Sequence, residues 1–142
     1  MQKQIVITDP DIRRLEQLVD ARSALSDDGL RALEQELNRA VVVAPEDIAK
    51  TVVTMNSRIR IYDLDRAFEF VCTVVFPGEA NAENNRISVL APLGTALLGC
   101  RVGQVIRFSA PGGMRRVKIM AIEYQPEASA RKRSGESRTQ NS

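Results

Sequence analysis

Ile87-Ser-Val-Leu-Ala-Pro-Leu-Gly-Thr-Ala-Leu-Leu-Gly-Cys-Arg-Val-Gly103 sets the frame for the whole chain. Its apolar opening, Ile87 to Leu90, predicts a short strand. Pro92 supplies a fixed φ suited to the first turn of a helix, and Leu93, Ala96 and Leu97 recur at the i, i+3, i+4 spacing of a one-faced helix. Gly99 is placed for a left-handed stop, and Gly103 for the turn into the next strand. Strand, short helix, stop and strand in this order predict a helix laid across one face of a sheet.

Outward from this stretch toward the C-terminus, Gln104 to Phe108 and Met114 to Tyr124 predict two strands joined by Pro111-Gly112-Gly113, a tight reversal. In the second of them Val117, Ile119 and Ala121 alternate with Arg116, Lys118 and Met120, as on a half-buried sheet face. Toward the N-terminus, Phe68 to Phe76 is rich in aromatic and β-branched residues and predicts the strongest strand. Val52 to Ile61 predicts its neighbour, with Asp63-Leu-Asp65 as the hairpin loop and Met55-Asn56-Ser57 as a bulge or strand end. Pro77-Gly78-Glu79 ends the strong strand and Asn81 to Arg86 is a polar loop.

Ahead of the sheet, Thr8-Asp-Pro-Asp11 is a helix start, with Thr8 or Asp9 as cap. Ile12, Leu15, Leu18 and Val19 form its apolar stripe. After a turn with a second cap at Ser26 or Asp27, Leu30, Leu33, Leu37 and Ala40 form a matching stripe that ends near Arg39. Two such helices with a short connection predict an antiparallel helical hairpin with arms of about 20 Å. The stripes are narrow, which favours a hairpin that projects, wholly or in part, over one packed down as core. The expected fold is therefore α+β: a short N-terminal helical hairpin over residues 1–44, an antiparallel sheet domain with one short helix over 45–128, and a basic tail over 129–142 that is disordered in isolation.

Composition narrows the functions on offer. The 142 residues are 44% apolar and 27% charged, with 4% aromatic residues and no tryptophan, so a base-stacking platform or aromatic cage is poorly supplied. No apolar run approaches the roughly 20 residues of a membrane span, and the first residues hold no signal-peptide core, so the cytoplasm is the expected compartment. The chain has no histidine, which removes the commonest general base and most zinc chemistry, and Cys72 and Cys100 are expected as buried thiols. The tail holds Arg131, Lys132, Arg133 and Arg138 against Glu136, a net +3 of the total +2, which leaves the body at −1. Residues 8–40 are acidic, with eight carboxylates against five arginines. Weak contact with nucleic-acid phosphates or an acidic protein surface is thus assigned to the tail, beside the plainer reading of a solubilising extension.

Ala91-Pro92, Gly94-x-Ala-Leu-Leu-Gly99, Val102-Gly103-x-x-Ile106 and Pro111-Gly112-Gly113 together resemble the C-terminal domain of the bacterial Gre transcript-cleavage factors. Val52-Val-Thr-Met-Asn-Ser-Arg58 and Glu123-Tyr-Gln-Pro-Glu-Ala128 are similar to the short-armed Rnk branch of that family, and the likeness covers about residues 5–128. The resemblance implies an FKBP-like C-terminal domain behind a short coiled coil, with bacterial RNA polymerase as partner at the rim of its secondary channel. It carries polymerase binding onto Ala91, Pro92 and Leu93, which by spacing alone read as a helix start and core. It places Asp27 and Asp28 at the hairpin tip, where Gre factors carry acids that help polymerase hold its second catalytic metal. Read from the residues, the same pair caps the second helix.

The expectation is a regulator of transcription elongation that competes with Gre factors and is not itself an enzyme, with no cofactor, bound metal, small-molecule substrate or membrane. The alternatives are a genuine cleavage factor working through Asp27 and Asp28, and a prolyl isomerase suggested by the FKBP-like fold alone.

Overall fold

A computed structural model describes residues 4–22 and 27–141, with side chains up to Arg133. Two parallel strands clasp the base of the N-terminal helices: β1 (Val6–Thr8) pairs with β2 (Val41–Val43). Between them run α1 (Asp9–Ala21) and α2 (Asp28–Arg39). Thr8 caps α1, its Oγ1 accepting the Asp11 N–H at 3.3 Å, with Pro10 in the first turn. Asp27 caps α2, and Ser26, the other candidate, lies outside the described residues.

The two helical stripes do not project. Ile12, Leu15 and Val19 of α1 and Leu30, Leu33 and Leu37 of α2 are buried in the same apolar cluster as Val53, Ile61 and Leu97. The reason lies in the size of the remaining helix. α3 (Pro92–Leu97) has six residues, too few to cover the inner face of a five-stranded sheet, and the two narrow stripes together complete the cover. The expected projecting hairpin is corrected accordingly.

The sheet is built from β3 (Arg58–Asp63), β4 (Phe68–Val75), β5 (Arg86–Ser88), β6 (Val105–Ala110) and β7 (Gly113–Tyr124), in the order β5-β4-β3-β7-β6. The expected wholly antiparallel sheet is corrected at one place: β5 runs parallel to β4, because the connection through two one-turn 3₁₀ helices at Pro77–Glu79 and Ala82–Asn84 carries the chain back to the level of Thr73 before β5 sets out in the same direction. Two register shifts between β3 and β7 curl the sheet. Gly99, Gly103, Gly112 and Gly113 all take positive φ, as their positions in the opening stretch and the Pro-Gly-Gly reversal require.

β3 begins six residues later than expected. Val52 makes only an isolated bridge to Arg101, and Thr54 to Ser57 form a turn with Asn56 at φ 68°. This turn is where the chain's distant parts meet. Thr54 Oγ1 and Ser57 Oγ lie 2.8 Å apart, Thr54 Oγ1 donates to Glu127 Oε1 at 2.7 Å, and the Met55 N–H donates to Asp11 Oδ2 at 3.2 Å. Glu127 stands at the start of α4 (Pro126–Asn141), so the tail expected to be disordered continues as a helix. Its first turn is fixed from outside: the Gln125 carbonyl and side chain accept the Ser129 and Ala128 N–H groups, and Arg131 Nη1 donates to the Pro45 carbonyl at 2.8 Å.

Asp63, which the sequence placed in a loop, is a fully buried carboxylate that closes the β3–β4 turn. Its Oδ1 accepts the Asp65 and Arg66 N–H groups, both at 2.9 Å, and Oδ2 pairs with Arg115 of β7. Burial alone would raise this carboxyl, but the Arg115 guanidinium and the two N–H groups outweigh it and hold it below the usual 3.8. Asp63→Asn keeps the turn acceptor and loses the ion pair, so a loss of about 2 kcal/mol is expected at neutral pH by urea unfolding. A depressed carboxyl stabilises above its unfolded value and loses that contribution as pH falls, so the difference between variant and wild type should shrink below about pH 4.

Candidate partner-binding surface

The two stretches singled out at the sequence level, Asp27-Asp28 and Ala91-Pro92-Leu93, are brought together. The first turn of α2 lies against the segment that leads into α3, so closely that a Cβ added to Gly29 would stand 2.4 Å from the Leu90 carbonyl oxygen. Asp27 Oδ1 accepts the Gly29 and Leu30 N–H groups at 2.8 and 3.3 Å, which commits it to capping. Asp28 is exposed beside it. Ala91 is the cap residue of α3, Pro92 is exposed at its first turn, and Leu93 is half-buried against the core rather than presented to solvent.

Asp28, Gly29, Leu90 and Pro92 open onto a groove of about 680 Å³ whose far wall is β6 and the start of β7. β6 is a sheet edge, so its outward N–H and C=O groups lack a neighbouring strand. Val105 (50% exposed) and Met114 (57%) are the most exposed large apolar side chains among the described residues, and both line this groove. Glu36 joins Asp28 on the α2 wall. Its Oε1 holds Arg39 at 3.0 Å, while Oε2 is buried without a hydrogen-bond partner among the described residues. Val105, Met114 and Glu36 were missed in the sequence. The readable signal was Val105 itself, an apolar residue out of phase with Ile106 and Phe108 on a strand whose alternate side faces solvent.

No cluster of three or more Asp, Glu, Cys or His side chains placed to hold a metal occurs among the described residues. Cys72 and Cys100 are buried and not joined in a disulfide, the Cys100 Sγ lies 3.2 Å from the Ala96 carbonyl oxygen, and burial pushes the Cys72 thiol up to about 12, far from a reactive thiolate. No helix among the described residues is long and apolar enough to cross a membrane.

A curled α+β sheet domain with an apolar, acid-walled groove beside a free strand edge has the form of a protein-binding module. Residues 48–124 match the family model for the C-terminal region of the transcription elongation factors GreA/GreB, and residues 3–43 match the model for the Rnk N-terminus. The chain is 39% identical over 125 residues to the regulator of nucleoside diphosphate kinase of Escherichia coli K12, covering 87% of this chain and 92% of that protein. It is 31% identical over 96 residues to the elongation factor GreA of Thermodesulfovibrio yellowstonii, covering 68% of this chain and 61% of that one. Among solved structures, a GreA/GreB elongation factor from Nitrosomonas europaea superposes with a TM-score of 0.72 at 44% identity, over 87% of this chain and all of that one.

The protein belongs to the GreA/GreB family of transcription elongation factors, with the N-terminal region of the Rnk branch. The family relationship supports a role in transcription, and its Escherichia coli relative is named a regulator rather than an enzyme.

Proposed function

We propose that this protein regulates transcription elongation by binding RNA polymerase at the entrance of the secondary channel, where it competes with longer-armed Gre factors without catalysing transcript cleavage. Residues 45–128 would grip the channel rim through Ala91, Pro92 and the groove beside them, while the short helical unit of residues 1–44 occupies the channel mouth. The basic extension of residues 129–142 would lie outside it. The site of action is the cytoplasm, with polymerase.

The observation that carries the reading is the seat of α2 on Leu90. Helices of 13 and 12 residues reach only about 20 Å, and here they lie along the domain instead of extending from it. Asp27 is engaged by two backbone N–H groups, so it is poorly disposed to join Asp28 in sharing a metal with another protein. Competition follows from mass action: the factor acts where its concentration relative to Kd rivals that of the cleavage factors.

The test is binding to core polymerase and to a backtracked complex with Mg²⁺. Wild type should bind and leave the transcript intact. Pro92→Ala with Met114→Glu removes one exposed groove contact and charges another, and binding should weaken at least about tenfold, the effect of about 1.4 kcal/mol. Asp27→Asn with Asp28→Asn keeps a capping side chain and should leave stability nearly unchanged. Transcript cleavage that the tip variant abolishes would make this a short-armed cleavage factor, and absence of any binding would sink the polymerase reading altogether.

A further inference from the structure

A second groove, which shares no lining residue with the first, is walled by α4 and by the loop that precedes β3. It encloses about 580 Å³ and is lined by Lys50 of that loop, Lys132 of α4, and Met120 and Tyr124 of β7. Both lysines are exposed and neither forms an ion pair among the described residues. The one carboxylate in the groove, Glu123, is already held by Arg60 at 2.5 Å and Arg58 at 3.5 Å. Glu46 and Asp47 stand on the one-turn helix against which α4 packs and do not line the groove. The local balance is therefore positive, although the folded body as a whole is slightly acidic.

The walls are fixed before anything binds. Gln125 Nε2 donates to the Ala49 and Val52 carbonyls at 2.9 and 2.7 Å, which ties the Lys50 loop to the end of β7. Gln125 Oε1 accepts from Ala128 in the first turn of α4, and Arg131 anchors the next turn to Pro45. Lys132 follows directly. Tyr124 is 41% exposed, with the Arg58 guanidinium carbon 6.0 Å from its ring centroid. A half-exposed aromatic ring that lines one groove together with two unneutralised cations can receive a base on the ring and phosphates on the cations. A duplex would keep its bases stacked away from the ring, and a free phosphate would leave the ring unused.

We infer that this groove binds single-stranded nucleic acid, with the backbone phosphates on Lys50 and Lys132 and one base stacked on Tyr124. The site belongs to the first turns of α4 rather than to the distal tail, and it stands independently of polymerase binding.

The experiment measures binding of the full chain to short labelled oligouridylate and oligothymidylate across salt from about 50 to 200 mM. The two probes report whether RNA or DNA is preferred. Lys50→Gln with Lys132→Gln should lower the slope of log K against log salt by about 1.4, at roughly 0.7 per single-strand phosphate contact. Tyr124→Ala should weaken binding roughly tenfold with the slope unchanged, within the range for loss of one stacked base. Tyr124→Leu, which keeps apolar packing, should behave like Tyr124→Ala. Arg138→Gln in the distal tail should change neither readout. A slope that falls with Arg138→Gln and not with the lysine pair would overturn the proposal, as would equal displacement of the oligonucleotide by an acidic peptide.

Discussion

Gly94→Ala is expected to destabilise the protein by about 3 kcal/mol, at the upper end of the cost of overpacking a close contact. A Cβ at this position would lie 2.1 Å from the Ser88 carbonyl oxygen, 2.9 Å from its carbon and 3.1 Å from the Val89 Cα. All three are backbone atoms, so no rotamer change relieves the clash. Nor is the neighbouring segment free to retreat: the Ser88 carbonyl also accepts the Ala91 N–H at 3.0 Å, the Val89 N–H donates to Val75 at 2.8 Å, and Thr95 Oγ1 donates to the Val89 carbonyl. Gly29→Ala meets a similarly close atom, the Leu90 oxygen at 2.4 Å. Only that one atom lies under 3.0 Å there, against two at Gly94, so a smaller loss of about 1 kcal/mol is expected. Urea midpoints at constant m separate the two. Equal losses would mean that α3 and α2 are held against the 88–90 segment with equal firmness, contrary to the hydrogen-bond pattern.

That contrast also explains which features were legible in the sequence. Punctuation was: Pro92, Gly99, Gly103 and Pro111-Gly112-Gly113 encode backbone geometry at the residue itself, and the structure realises each of them. Helix caps at Thr8 and Asp27 were readable for the same reason, since a cap bonds within three residues. The course of the helical pair was not. A narrow stripe states how much of a helix is buried and not against what, and here the deciding fact was that a six-residue α3 leaves sheet face uncovered. The groove residues escaped for a related reason. Val105, Met114 and Glu36 come from three elements, and only the register of β6 with β7, Val105 opposite Lys118 and Ser109 opposite Met114, sets two of them on one edge.

The two Rnk-like motifs are instructive because neither showed any chemistry alone. Val52 to Arg58 supplies Thr54, Met55 and Ser57, and Glu123 to Ala128 supplies Gln125 and Glu127. Their polar atoms meet each other and Asp11 across sequence separations of 44 to 73 residues. Buried polar groups that find partners only at such distances leave no periodic trace, yet they fix the relative placement of α1, the sheet and α4. The same junction brings Lys50 and Lys132 to the lining of one groove.

It also predicts an uncommon pH dependence, the stability rising as the solution becomes mildly acidic. Burial raises the Asp11 carboxyl from 3.8 to about 6, Glu127 adds to this by repulsion, and the Met55 N–H, the Thr8 hydroxyl and Arg14 oppose it. Between these two values the unfolded chain has released a proton that the folded protein still holds. Stability therefore falls as pH rises from about 4 to about 6 and is flat above, a swing of about 3 kcal/mol from this one group. Asp63 works in the opposite sense at lower pH, so the informative quantity is a difference. Asp11→Asn retains an oxygen for the Met55 N–H and presents no charge to Glu127. The variant should match wild type near pH 3.5 and exceed it by up to about 3 kcal/mol at pH 7.5, read as urea midpoints across the range. Parallel curves for the two proteins would show that Asp11 takes up its proton alike in the folded and unfolded chain, the contact with Met55 offsetting both burial and Glu127.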